Sequence, residues 1–327
     1  MESLGVDRPG VNRPGEEGSS TTRICETLSS QRCFDEKQFS AYFLSPAQFA
    51  PLAAWVGSIR ASTYRQISPL GPRELDLDGR DANYWHLLIL DREQQCLAGS
   101  LRMSLSRWHG VDWDGSHSYL EHCYPGLDAS LRGRGMAYAE IGRTFVAGPY
   151  QRTSPVLRML LRAMTSIPLA TGHDQLLGMV SYNHLQHSER LHGRFLRGLQ
   201  QPPIASTVAL PQPRHPFPLP APEGVEAPEW GADPGPDPAI AHLQALERHL
   251  RDSSPEAFRA PLLLKKYMSF GNARVAGLSL ARDFNQICEI LMLSDLNQLK
   301  PLQRRELMVN ALVPVWQQQA EPSAVSR

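Results

Sequence analysis

At 327 residues the chain has room for one large domain or two ordinary ones, and a 42% hydrophobic fraction is ample for a core. Lys+Arg and Asp+Glu both total 33, so no basic excess argues for nucleic acid. No apolar run reaches the roughly 18 residues of a spanning helix. Residues 1–20 are polar and do not read as a signal peptide, and the five cysteines are scattered without a CxxC pair; a reduced, cytoplasmic protein is therefore expected.

Residues 1–36 show little apolar periodicity and predict a mobile tail. Phe39 to Leu44 reads as a short alternating strand. Ser45-Pro46 then fits an N-cap with proline at the first helical position, opening a helix to about Tyr64. Tyr84 to Leu90 and Cys96 to Met103 flank the polar stretch Asp91 to Gln95, the pattern of a β-hairpin with a longer loop. Tyr138 to Val146 predicts a fourth strand, with Glu140, Gly142 and Thr144 on one face and Ile141, Arg143 and Phe145 on the other. A helix from Ser154 to about Thr165 carries Val156, Leu157, Leu160, Leu161 and Met164 on one stripe. Leu176 to Ser181 is a fifth strand and Glu189 to about Leu199 another helix. This alternation argues for an α/β layered domain.

Residues 202–238 hold 12 of the 27 prolines and predict an extended linker or surface insertion. Beyond lie a helix from about Ala239 to Arg251, the run Pro261 to Phe270, a strand candidate over Phe284 to Leu293 and a closing helix from about Leu302 to Gln317. The expected division is a tail (1–36), a first core segment (37–201), the proline-rich insertion (202–238), the segment completing that core (239–300), and a C-terminal helix and tail (301–327).

Amide formation needs a neutral amine, and a carboxylate within reach can remove its proton. Glu140, set inside a strand, is the candidate base; the alternative is a salt bridge to Arg143 or Arg102. Those two arginines could fix Glu140, bind an acceptor carboxylate bidentately, or pair with the acidic loop of Asp76, Asp78 and Asp81. That loop could in turn bind a cationic acceptor group or form a solvated turn. Two segments compete for phosphate: the glycine-containing Arg132 to Ala137, and Gln151-Arg152-Thr153-Ser154 at a helix start, which fits the order of elements better. Six arginines against one acid between Arg132 and Arg162 could dock an acidic carrier or form an ordinary solvated face. Ser181, ending its strand, could orient a thioester or cap a helix. His184, His187 and His192 lack the partners of a zinc motif, so no metal is expected, and no Gly-x-Ser-x-Gly elbow marks a serine hydrolase.

Glu140-Ile141-Gly142-Arg143-Thr144-Phe145-Val146 followed by Tyr150-Gln151-Arg152 resembles the signature of the ornithine-lipid N-acyltransferases of the GNAT superfamily. Pro261 to Tyr267, with Gly271, Gly277 and Asp283-Phe284-Asn285, resembles that family's late strands. Gly99-Ser100-Leu101-Arg102 and the helix from Ser188 to Gly198 look like those of acyl-homoserine-lactone synthases and long-chain N-acyl amino acid synthases. The resemblance covers roughly residues 38–297 outside the insertion. It implies a GNAT fold, a central mixed twisted sheet flanked by helices. It also implies an acyl thioester co-substrate (acyl carrier protein or coenzyme A), with no permanently bound cofactor, and an amine acceptor such as ornithine or a peptide amine.

On that resemblance Glu140 and Ser181 are the catalytic candidates. Arg60, Asp76, Arg102 and Arg143 are the substrate-binding ones; Gly142, Thr144, Gln151, Arg152, Thr153 and Ser154 would contact the carrier's pantetheine or phosphate. Arg60 and Tyr64 match the first two residues of the lactone synthases' Arg–aromatic–Trp pattern, but no Trp follows, so a lactone product is not expected. Acyl carrier protein is the expected partner, and a lipid product leaves room for peripheral membrane contact. A non-catalytic carrier- or lipid-binding module is the alternative.

Overall fold

A computed structural model describes residues 27–65, 74–109, 115–151, 154–220, 237–282 and 286–319. In chain order the strands and helices are β1 (Arg32–Glu36), β2 (Phe39–Leu44), α1 (Pro46–Phe49), α2 (Ala53–Tyr64), β3 (Trp85–Asp91), β4 (Cys96–Leu105), α3 (Tyr119–Cys123), α4 (Leu127–Gly133) and β5 (Tyr138–Val146). There follow α5 (Ser154–Ala170), β6 (Gln175–Tyr182), α6 (Glu189–Leu199), α7 (Pro238–Asp252), α8 (Leu262–Gly271), β7 (Arg274–Leu280), β8 (Cys288–Asp295) and α9 (Pro301–Leu307).

All eight strands form one sheet in the order β1-β2-β3-β4-β5-β6-β8-β7. Neighbours are antiparallel except β5 and β6, which are parallel because α5 carries the chain back between them. Strands from both sides of the proline-rich segment thus share a sheet. One face is covered by α5, α6, α7, α8 and α9, with Leu160, Phe195, Leu246 and Leu264 among the buried contacts. The other is covered by α1 and α2 over β2 to β4, and by α3 and α4 over β5, β6 and β8. Burying each such leucine or phenylalanine contributes about 1.5–3 kcal/mol.

The structure corrects several sequence expectations. The tail predicted over 1–36 gives way to a strand at Arg32–Glu36, where Cys33 and Phe34 are buried against the sheet. The helix from Ser45 starts as expected, the Gln48 side chain accepting from the Ser45 backbone N–H at 2.9 Å. It is then interrupted by a 3-10 turn at Ala50–Leu52, where Pro51 has no N–H for a helical bond. The run Pro261 to Phe270, read as a late strand, is α8. Its Leu264 and Met268, four residues apart, bury on one face. The late strand that precedes β8 is β7, containing Gly277. Asp283 to Asn285 lie outside the described residues, and β8 begins only at Cys288. The closing helix is shorter than expected: α9 ends at Leu307, and a separate 3-10 turn occupies Val315–Gln319.

β5 also departs from its predicted alternation. Arg143 adopts a left-handed φ of 51°, and the β4–β5 register slips between Ser100 and Arg102. This bulge turns the strand over. Ile141 packs with α5, whereas Phe145 lies in the opposite layer, against α2. The two expected faces, Glu140 with Gly142 and Thr144 and Ile141 with Arg143 and Phe145, therefore do not stay together across Arg143.

Candidate active site

The parallel pairing of β5 with β6 runs from Tyr138↔Gln175 to Ile141↔Gly178 and stops there. Beyond it Gly142 to Thr144 on β5 and Met179 to Ser181 on β6 line opposite walls of a cavity of about 420 Å³. That volume suits a small ligand. Two strands that diverge leave backbone groups on their facing edges without each other as partners, which is where a carbonyl oxygen and an extended thioester arm can bond.

Glu140 is the last residue but one before the divergence and is 2% exposed. Its placement depends on α3. Ser118 caps that helix, its Oγ accepting from the Glu121 N–H at 2.9 Å. The same hydroxyl donates to Glu140 Oε2 at 2.7 Å. Oε1 accepts from the Tyr84 hydroxyl at 2.5 Å and from the Tyr119 and Leu120 N–H groups, each at 3.1 Å. Three donors thus crowd Oε1 and one meets Oε2, so the remaining acceptor capacity is on Oε2. Burial raises the Glu140 pKa above the usual carboxylate value, opposed by the Ser118, Tyr84 and Leu120 hydrogen bonds and the Arg102 charge. The carboxylate is held in one orientation and is a better proton acceptor than an exposed glutamate.

Beside it stands a closed ionic network. Arg60 pairs with Asp76 at 2.9 Å and Asp81 at 2.8 Å. Arg102 pairs with Asp78 at 2.8 Å and Asp81 at 3.1 Å. Arg143 reaches Asp78 at 3.1 Å and Asp76 at 3.5 Å. Arg60, Arg102, Asp76 and Asp81 are all buried, and the Arg102 guanidinium lies 4.6 Å from the Tyr84 ring centre. Burial pushes Asp78 and Asp81 up, but their arginine partners outweigh it and hold both below the usual aspartate range.

Among the sequence candidates, Glu140, Gly142, Thr144, Ser181, Arg102 and Arg143 all line the cavity. Arg60 and Asp76 lie behind it in the network. Gln151 is exposed, its amide donating to the Val146 carbonyl at 3.2 Å. Ser154 opens α5, and Arg152 and Thr153 lie outside the described residues. The arginines read as a carrier-docking patch are largely engaged: Arg132 with Asp128, Arg134 with the Ala209 carbonyl, and Arg158 and Arg162 with Glu36.

Sequence reasoning missed Tyr84, Ser118, Tyr119 and Glu289. The S-x-x-E pattern Ser118 to Glu121 is a capping signature that could have found α3. Glu289 precedes the apolar run Ile290 to Leu293 of β8 and is an acid inside a strand, the same signal that singled out Glu140.

Residues 59–162, which run from α2 through β5 into α5, match the family described as an acetyltransferase (GNAT) domain. No curated protein matches the chain in sequence. Among solved structures, FeeM, an N-acyl amino acid synthase from uncultured soil microbes, is 13% identical with a TM-score of 0.38, covering 80% of this chain and 93% of its own. The CoA-dependent acyl-homoserine lactone synthase MesI is 12% identical at a TM-score of 0.38, covering 82% and 94%. The ribosomal-protein-S5-alanine acetyltransferase of Vibrio fischeri is 9% identical at 0.34, covering 82% and 99%. The segment similar to the acetyltransferase (GNAT) domain carries Glu140 and the strands β3 to β5 at the centre of the mixed eight-stranded sheet.

Proposed function

We propose that the protein moves a fatty acyl group from a thioester, carried by acyl carrier protein or coenzyme A, to the amine of an amino acid such as ornithine. The observation that supports this most is the cavity where β5 and β6 part, with Glu140 buried in its wall. The walls include Ile141, Leu263 and Tyr267, and Ile141 and Tyr267 also border a small apolar void beneath the sheet, beside Leu161 and Met164. An acyl chain entering between the strands therefore meets hydrocarbon, while its carbonyl stays at the polar rim.

In this reading Glu140 Oε2 takes a proton from the acceptor ammonium. The neutral nitrogen attacks the thioester carbonyl carbon, and backbone N–H groups of Gly142 to Thr144, or Ser181, hold the developing oxyanion. The C–S bond then breaks, the electron pair leaves with sulfur, and the second nitrogen proton protonates the thiolate. No covalent enzyme intermediate is needed. Gly142, Thr144 and the α5 start near Gln151 to Ser154 are the proposed contacts for the thioester arm, with Arg102 and Arg143 at the acceptor side.

The test is free-thiol release from long-chain acyl carrier protein and acyl-CoA in the presence of pooled amino acids, with product masses read by spectrometry. Amine-dependent release lost in Glu140→Gln supports the reading and names the donor. Release that ignores the amine, or survives the substitution intact, sinks it. Failure with free amino acids but release with lysine or ornithine peptides moves the acceptor to a peptide.

A further inference from the structure

Residues 202–220 of the proline-rich segment form a strap around the edge of the sheet at β7. Ser206 N–H donates to the Val275 carbonyl at 2.7 Å and Val275 N–H to the Ile204 carbonyl at 3.0 Å; farther along, Leu280 N–H donates to the His215 carbonyl at 2.8 Å. Ile204 and Phe217, near the two ends of the strap, are buried in the layer of α6 to α8. Val208 and Leu210, between them, pack in the opposite layer with Tyr124 and Leu127. The strap therefore leaves one face of the sheet, crosses the β7 edge and returns. Half of residues 211–220 are proline, which fixes φ and lowers the entropy lost on ordering the segment.

On the far face the strap meets α3. That helix has five residues, too few to be stable alone, and the last carbonyls of a helix need partners from outside it. Arg214 supplies two: its backbone N–H donates to the Cys123 carbonyl at 2.7 Å and its Nε–H to the His122 carbonyl at 2.9 Å. Tyr124, which follows the helix, lies against Gly277 of β7, where a Cβ would come within 2.6 Å of the tyrosine hydroxyl. The strap and β7 thus fix the C-terminal end of α3. Its cap and first turn supply the Ser118 hydroxyl and the Tyr119 and Leu120 N–H groups to Glu140. A five-residue helix is about 7.5 Å long, so a displacement at one end is felt at the other.

We infer that Arg214 is a positioning residue for Glu140: the strap clamps the C-terminal end of α3, so that the donors at its other end hold the carboxylate at the cavity wall. The rate consequences rest on the acyltransfer reading, whereas the clamp itself can be measured without turnover. Releasing the clamp withdraws hydrogen bonds that stabilise ionised Glu140, so its proton is lost only at higher pH. The other titratable or charged groups around Glu140 are Tyr84, Arg102 and Tyr138, with Glu289 joined to it through Tyr119. Tyr84, Arg102, Tyr138 and Glu289 sit on or beside β3, β4, β5 and β8 and keep their places when Arg214 is changed.

Arg214→Ala in the full chain tests this, with Arg214→Lys as the conservative variant and thermal melting to check folding. Arg214 is exposed and the substitution keeps its backbone N–H, so the fold should hold. Two quantities are read: amide hydrogen exchange in the peptide spanning residues 118–124, and the pH profile of amine-dependent thiol release. Exchange in that peptide should be about threefold faster or more in Arg214→Ala. The kcat at pH 7 should fall about three- to tenfold and the donor KM change less than about twofold, while the rising limb of the rate moves to higher pH. Arg214→Lys should restore part of the rate. Unchanged exchange, an unchanged rate, or a rate loss with the limb at its wild-type pH overturns the inference. Faster exchange in Arg214→Ala, where the wild type releases no thiol with any amine, upholds the clamp and sinks the acyltransfer reading.

Discussion

Two groups of buried charges lie side by side in this protein and have opposite characters. The network of Arg60, Arg102 and Arg143 with Asp76, Asp78 and Asp81 pairs every cation with acids at 2.8–3.5 Å. It is charge-balanced and closed, and it ties the loop after α2 to β4 and β5. Glu140 and Glu289 border a cavity instead, Glu140 accepting from two hydroxyls and two backbone N–H groups and Glu289 from the Tyr119 hydroxyl. Charge density therefore does not mark the reactive place. Glu140, the carboxylate proposed to react, is held by hydroxyls and backbone N–H groups beside open space.

The sharpest way to break this comparison is to open the network. Arg60→Ala takes one of two arginine partners from each of the buried Asp76 and Asp81 and should cost about 3 kcal/mol in denaturant unfolding. A variant of unchanged stability that has lost amine-dependent turnover would show that the network belongs to the substrate site after all. Next in size is Glu140→Gln. It keeps the shape and an acceptor oxygen for Tyr84, Tyr119 and Leu120, so the fold should hold, while thiol release falls about 100-fold or more. Loss of fold without any loss of specific activity in the folded fraction would reassign Glu140 to structure.

The pH dependence of the melting temperature should separate the two groups by sign. Asp78 and Asp81 have depressed folded pKa values. Their contribution to stability is present above the unfolded aspartate value of about 3.9 and is lost as pH falls through the folded pKa. The folded pKa of Glu140 is raised. Its contribution is present below the unfolded glutamate value of about 4.3 and is lost as pH rises through the folded pKa. Glu140→Gln should accordingly remove a decline on the neutral side, and Asp78→Asn a decline on the acid side; matching profiles would refute the distinction. The rate profile should follow the same sign, since ionised Glu140 is the base: thiol release rises with pH through its raised pKa, and that limb disappears in Glu140→Gln. The smallest effect belongs to Gln151→Ala. Gln151 is an exposed contact proposed for the thioester arm, so the donor KM should rise only about two- to fivefold; an unchanged donor KM would move the arm away from the α5 start.

Much of the layered architecture was legible from local pattern. β2, β5 and α6 begin and end where periodicity and caps place them, because each is bounded by Ser45, Ser188 or a turn. Short apolar runs were ambiguous, as α8 shows: three leucines in succession fit a buried strand or a helix, and only packing against α7 and β8 selects the helix. The α3 helix has five residues, too few for periodicity, yet its first turn supplies three of the groups that bind Glu140.

By itself, the sequence determined the run from β2 to β6 with α5 and α6, and the presence of a glutamate inside β5, since these follow from residue spacing along one segment. The rest was decided by tertiary structure. The bulge at Arg143 reversed the faces of β5, and the parting of β5 from β6 opened the cavity. Ion pairing closed Arg60 and Asp76 away from it, and β8 brought Glu289 to it from more than a hundred residues beyond Glu140. Each of these depends on which partner a strand or a charge meets, and the partner comes from a distant part of the chain, where no local pattern records it.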